Sequence, residues 1–175
     1  MEEGTLVIKG PIAIGSDHAG FQLKEHVKQW LQEIGIEARD FGTYDEESTD
    51  YPDYGAKVAH AVSTGQYDYG IVICATGIGM SIVTNKFKGI RAALCASEYV
   101  TEYSRLHNDA NILVLGGRTT APDVAKRLLH IWLKTPFEGG RHLRRINKIE
   151  KLPESQNIES KNQGCGTNCG NFKKD

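Results

Sequence analysis

The chain has 175 residues, 39% of them hydrophobic and 25% charged, which fits one soluble domain built around a single core. Lys plus Arg total 21 against 22 Asp plus Glu, so a net charge of -1 supplies no overall field for gripping nucleic acid or an anionic membrane, and any anion site must be local. The opening MEEGTLVIKGP is acidic where a signal peptide would be basic, and no run approaches the roughly 20 apolar residues of a membrane span, so a cytosolic (cytoplasmic) enzyme or binding protein is expected.

Five apolar β-type segments follow in order: PIAIG at 11–15, IEARDF at 36–41, DYGIVIC at 68–74, IRAALC at 90–95 and NILVLG at 111–116. Between the first two, Val27, Trp30, Leu31 and Ile34 recur at helical spacing, and Gly35 stops the helix. After the fifth, Thr120 and Asp123 have the spacing of a capping box, ahead of a helix that buries Val124, Leu128, Leu129 and Trp132. Strands this apolar, separated by helices, predict an α/β fold: a doubly wound, Rossmann-like, five-stranded parallel sheet with helices on both faces, an αβα sandwich. The single domain is expected over 1–152. From Pro153 to Asp175 only Ile158 and Phe172 are bulky and apolar, so that stretch reads as a flexible tail. Its Cys165 and Cys169 supply only half of a tetrahedral zinc site, and Cys74 and Cys95 lie in strand-like runs where reduced thiols are expected.

In such a sheet, ligands sit beyond the carboxyl ends of the strands, where the winding reverses. A flavodoxin-like strand order would put the first and third strands on either side of that crevice. Their ends read GSDHAG (15–20) and CATGIGMS (74–81), so Asp17, His18, Cys74 and Thr76 would converge. The glycine-rich loop lacks the Gly-Lys-Ser/Thr of a P-loop, and Ile82 stands where a dinucleotide fingerprint needs its third glycine. What remains is a tight turn at Gly77 and Gly79 whose amides, from Ala75 to Gly79, face outward at a helix N-terminus and favour negative charge. Cys74 at its mouth is either a small buried residue or a base or nucleophile. His26, His60 and His130 lie in helical patterns and read as surface residues. His107, in the polar junction RLHNDAN, is equally a helix-terminal histidine or a proton-transfer group. In EGGRHLRRINKI, Arg141 and Arg145 share a helix face and would make a phosphate clamp or a solvated basic face, with Ile146 and Ile149 on a neighbouring face that can pack.

The motifs GSDHAG, DYPDYG, CATGIGMSI, NKFKGIRAALC, SRLHNDANILVLGGR and TPFEGGRHLRRI, in that order, resemble the ribose-5-phosphate isomerase B family, whose wider group includes galactose-6-phosphate and allose-6-phosphate isomerases. The resemblance runs from about residue 11 to 150. It implies interconversion of D-ribose 5-phosphate and D-ribulose 5-phosphate, in the pentose phosphate pathway, without metal or organic cofactor, in a homodimer or tetramer. Cys74 matches the family's base and His107 the residue that helps open the furanose ring. Asp17, His18 and Asn108 match sugar contacts. Ala75, Thr76, Gly77, Ile78 and Gly79 match the loop whose amides face the enediolate, and Arg118, Arg141 and Arg145 match cationic ligands near the phosphate. The family usually has glycine after the cysteine, so Ala75 places a methyl group beside the reacting carbons.

Topology adds a further expectation. His107 ends the helix before the fifth strand, which puts it at the amino edge of the sheet, opposite Cys74, and Arg141 and Arg145 also begin from that edge. A site shared across a two-fold interface follows. Competing readings are an isomerase for a hexose 6-phosphate, separated by relative kcat/KM, and a non-catalytic sugar-phosphate or nucleotide binder, which would bind without exchanging the C2 proton.

Overall fold

The computed structural model describes residues 5–152. The alternating pattern folds as strands β1 (Ile12–Ser16), β2 (Ala38–Asp40), β3 (Tyr69–Cys74), β4 (Ala92–Leu94) and β5 (Ile112–Gly116). The helices are α1 (Phe21–Glu33), α2 (Tyr51–Ser63), α3 (Ile78–Thr84), α4 (Glu98–Leu106), α5 (Pro122–Lys134) and α6 (Gly140–Ile149), with one 3-10 turn at His18–Gly20. All strand pairs are parallel, as the unbroken apolar runs require.

The strand order is β2-β1-β3-β5-β4. The β1/β3 crevice of the flavodoxin-like expectation is present, but the last two strands exchange places. The burial pattern gives the reason. All five residues of β5 are buried, whereas Ala92, Ala93 and Leu94 of β4 are only half-buried. The longer, fully apolar strand takes the inner position and the short one becomes an edge. Consequently the end of β5, not of β4, borders the end of β3.

Alternation along the strands sends side chains into two cores. Ile71, Ile73, Leu113 and Leu115 pack with Leu23, Val27 and Leu31 of α1 and Leu128 and Trp132 of α5. Val72, Cys74 and Val114 pack on the opposite face with Val58 of α2 and Met80 of α3. Trp132 is fully buried in the first core, and Gly35 follows α1 with φ 76, the stop expected for that helix. The capping box at Thr120 does not form. Pro122 takes the first helical position, which makes Ala121 the N-cap, while the Thr120 amide donates to Gly116 O in the turn leaving β5. Of the two isoleucines expected to pack from α6, Ile146 is buried and Ile149 lies in solvent, because only one face of this terminal helix meets the body. Among the described residues no helix is long and apolar enough to cross a membrane. The stretch 153–175, with its two cysteines, lies outside them.

Candidate active site

Three loops leave the carboxyl edge side by side, after β1, β3 and β5. They are stitched together through backbone: Asp17 N donates to Ile73 O (3.2 Å), Gly117 N to Cys74 O (2.8 Å) and Arg118 N to Ala75 O (2.9 Å). Two glycines permit this approach. A Cβ at Gly20 would lie 2.6 Å from Ile73 O, and one at Gly117 2.5 Å from Ala19 O. Cys74 stands in the middle, a free thiol only 4% exposed, on the α2–α3 face of the sheet.

The chain after Cys74 turns through half-buried Ala75 and exposed Thr76 to Gly77, whose φ of 79 closes the turn and starts α3. A side chain at Gly77 would need that left-handed backbone and would strike Leu94 Cδ1 at 2.4 Å. Thr76 Oγ1 accepts from Ile78 N at 3.4 Å, and Gly79 lies against the Tyr51 ring, where a Cβ would come within 2.6 Å. The Asp17 carboxylate accepts from Gly20 N at 2.9 Å, so it already caps the 3-10 turn. His18 Nδ1 lies 3.2 Å from Thr49 N and 3.3 Å from Thr49 O, which fixes its ring beside the loop before α2. Arg118 is exposed next to Ala75.

A fourth loop at this edge, after β2, hangs on a buried ion pair. Lys24 is 0% exposed and donates to Asp40 Oδ1 (2.8 Å) and Oδ2 (2.7 Å) and to Thr43 O. Lys28 donates to the same Oδ2 (2.7 Å) and Gly42 N to Oδ1 (2.9 Å). Burial alone would push the Asp40 carboxyl upward, but Lys24, Lys28 and the Gly42 amide outweigh it and hold the carboxyl below its ordinary range. The loop is thereby tied to β1, where Ser16 N donates to Gly42 O and Thr43 N to Ser16 O, each at 2.7 Å.

The remaining candidates lie elsewhere. His107 is the C-cap of α4, with Asn108 exposed beside it. Its imidazole stacks on that of His142 (centroids 3.9 Å apart, planes 9° from parallel) and meets the edge of Tyr103 at 4.7 Å. Glu138 Oε2 is 3.8 Å from His107 Nε2 and 3.3 Å from His142 Nε2, and Arg141 Nε donates to His142 Nε2 at 3.2 Å. Burial, then the neighbouring His107 and Arg141, lower the His142 pKa and favour the neutral ring that can accept this bond. His107, Glu138 and His142 have the atoms to ligate an ion. Yet parallel rings cannot aim their in-plane lone pairs at one point, and Arg141 already takes one nitrogen, so the trio is arranged as a stacked imidazole pair beside a carboxylate. Arg141 and Arg145 are exposed on α6, one turn apart.

Cys74 pairs with Gly116, and Gly70 with Ile112. His107 precedes Ile112, so it belongs to the Gly70 end of the sheet, roughly 13 Å of strand away from Cys74 at about 3.3 Å per residue. The candidate residues therefore fall into two groups at opposite edges of the sheet. Asp17, His18, Cys74, the 75–79 loop and Arg118 share one edge; His107, Asn108, Arg141 and Arg145 share the other. Sequence reasoning passes over Thr49, Tyr51, Glu138 and His142. Only Tyr51, in DYPDYG, and Glu138 and His142, in TPFEGGRHLRRI, stand in motifs that draw attention, and nothing local reveals their partners. His26, His60 and His130 are exposed, as expected, and burial raises the Cys95 thiol against the hydrogen bonds of Thr101 and Ser104.

A sequence model described as Ribose/Galactose Isomerase matches residues 12–149, the whole of the sheet and its helices. The chain belongs to the ribose/galactose isomerase family. Among members of this family, ribose-5-phosphate isomerase B of Escherichia coli (strain K12) is 46% identical over 146 residues, 83% of this chain and 98% of the relative. A D-erythrulose-4-phosphate isomerase of Pectobacterium atrosepticum is 41% identical over 140 residues, 79% of this chain and 91% of the relative. The solved structure of ribose-5-phosphate isomerase B from Clostridium thermocellum superposes with a TM-score of 0.80 at 52% identity, covering 81% of this chain and 96% of that one.

Proposed function

We propose that the chain is an aldose-ketose isomerase that interconverts D-ribose 5-phosphate and D-ribulose 5-phosphate in the cytosol. The observation that carries this reading is the thiol of Cys74 set at the mouth of the Gly77 turn, in a family whose near relatives are isomerases of small sugar phosphates.

Cys74 Sγ, as thiolate, removes the proton from C2. The C2–H electrons form the C1=C2 bond and the carbonyl electrons move onto O1, where the amides of Ala75 to Gly79 stabilise the enediolate. Transfer of the O2 proton to O1, as C2 becomes the carbonyl, and return of the proton from Cys74 to C1 complete the ketose. Asp17 and His18 hold the sugar hydroxyls and Arg118 the phosphate side of the same pocket.

The other half-site comes from a second subunit. His107 opens the furanose by moving a proton between the ring oxygen and the anomeric hydroxyl, Asn108 contacts the sugar, and Arg141 and Arg145 clamp the phosphate. This makes a homodimer the smallest active unit. The deciding experiment follows ribose 5-phosphate with the enzyme in heavy water by NMR. Deuterium entering C1 of the ketose and C2 of the aldose is expected, and binding without exchange would defeat the reading. Relative kcat/KM on pentose, hexose and tetrose phosphates assigns the preferred substrate.

A further inference from the structure

Arg91 stands at the head of β4, at the amino edge, and its guanidinium spans three segments of chain. Nε donates to Asn108 O and Asp109 O, both at 3.0 Å, and Nη2 to Asp109 Oδ2 at 3.1 Å. Nη1 reaches Gly89 O (3.5 Å) and Glu150 Oε1 (3.3 Å), just past the end of α6. From the other side Arg105, 2% exposed, donates Nη1 to Asp109 Oδ1 and Ala110 O, each at 2.8 Å. Asp109 takes a left-handed backbone with φ 45, alone among the described non-glycine residues. Two guanidinium groups thus hold both oxygens of the one carboxylate on which this turn pivots. The same turn carries His107 and Asn108.

We infer that Arg91 is a positioning residue for the isomerisation. It fixes the His107–Asn108–Asp109 turn against the far end of α6, so that the ring-opening imidazole enters the neighbouring subunit's site at a set distance from the arginines of that helix. The inference rests on the reading of His107 given above. Lysine keeps the charge at position 91, but a single ammonium cannot serve three carbonyls and the carboxylates of Asp109 and Glu150 together.

Chemistry supplies a readout that general damage to the site would not give. Ribose 5-phosphate is chiefly a furanose and must open before C2 can be deprotonated. Ribulose 5-phosphate has O5 esterified, so its C2 carbonyl cannot close a five-membered ring, and isomerisation from that side needs no opening step. Arg91→Lys should lower kcat from ribose 5-phosphate by about tenfold while changing kcat from ribulose 5-phosphate by less than about twofold, the scale expected when a catalytic group is displaced by a fraction of an ångström. Asp109→Asn, which accepts the left-handed backbone but loses the ion pairs, should give the same split if the lysine variant fails to fold. In a His107→Asn background Arg91→Lys should add no further loss. Equal losses in both directions, no loss in either, or additive losses with His107→Asn would each overturn the role of Arg91. A wild-type chain inactive on both sugars would instead overturn the reaction itself.

Discussion

Cys74 and His107 occupy opposite edges of one sheet: Cys74 ends β3 beside Gly116, while His107 leads into β5 from the end where Gly70 pairs with Ile112. No rotamer change brings the two together within a chain. The proposed mechanism therefore needs two chains, and chain mixing tests it. Cys74→Ala and His107→Ala chains, each inactive on ribose 5-phosphate, should regain activity when co-assembled, up to about a quarter of wild type for random pairing in two-fold dimers with one intact site per mixed pair. Verified mixed dimers that stay inactive would refute the sharing.

Removing the proposed base is the most direct test of chemistry. Cys74→Ala should lower kcat by ~10² to 10⁴, the usual loss for a general base. The fold should survive, because the thiol only fills space in a core otherwise held by Val58, Val72 and Met80. Turnover in both directions and a thermal melt measure the two expectations separately, and wild-type kcat in the alanine variant would remove Cys74 from the mechanism.

The clamp proposed on α6 predicts binding losses of another kind. Arg141→Ala and Arg145→Ala should raise KM for the phosphorylated sugar, each by about 1.5 to 3 kcal/mol, as for a lost charge-assisted hydrogen bond. Both side chains are exposed, so urea midpoints should hardly move. Unchanged KM in both variants would release them from the phosphate.

Asp40 gives the fold an acid limit. Its carboxyl is held below its ordinary value of 3.8, so its contribution is complete above that value and disappears as the pH falls through the lower folded-state pKa. Asp40→Asn should therefore be less stable than wild type at pH 7, and its unfolding free energy should depend less on pH below about 4. Urea titrations at neutral and acid pH measure both. Loss of the carboxylate should also loosen Thr43, whose carbonyl Lys24 holds along with Asp40.

Gly77 tests the turn at the mouth of the site. Its left-handed backbone strains any side chain, and a methyl group would meet Leu115 O at 3.1 Å and displace Leu94, so Gly77→Ala should destabilise the protein by more than about 1 kcal/mol, and the turn should shift. A melt and kcat for the variant report the two effects. Unchanged values for both would show that the amides after Cys74 need no such turn.

Much of this protein was readable before any coordinates. The five strands, the helix ending at Gly35 and the placement of Asp17, His18 and Cys74 at the carboxyl edge follow from periodicity, turn residues and the rule that parallel sheets bind ligands beyond their strand ends. Those are local signals, or properties of every sheet of this kind. The inner place of β5 beside β3 depends on which strand buries both faces best. The stacking of His107 on His142 and the bridge from Arg91 to Asp109 and Glu150 join residues distant in sequence, and no pattern along the chain records them. Likewise, Thr120 has a capping residue's identity, yet Pro122 and the turn after Gly116 decide where α5 begins. Sequence alone determined which chemical groups the chain carries and the sheet that orders them. Tertiary structure decided which of them meet, because proximity across a sheet is set by packing and strand order, which separation along the chain does not encode.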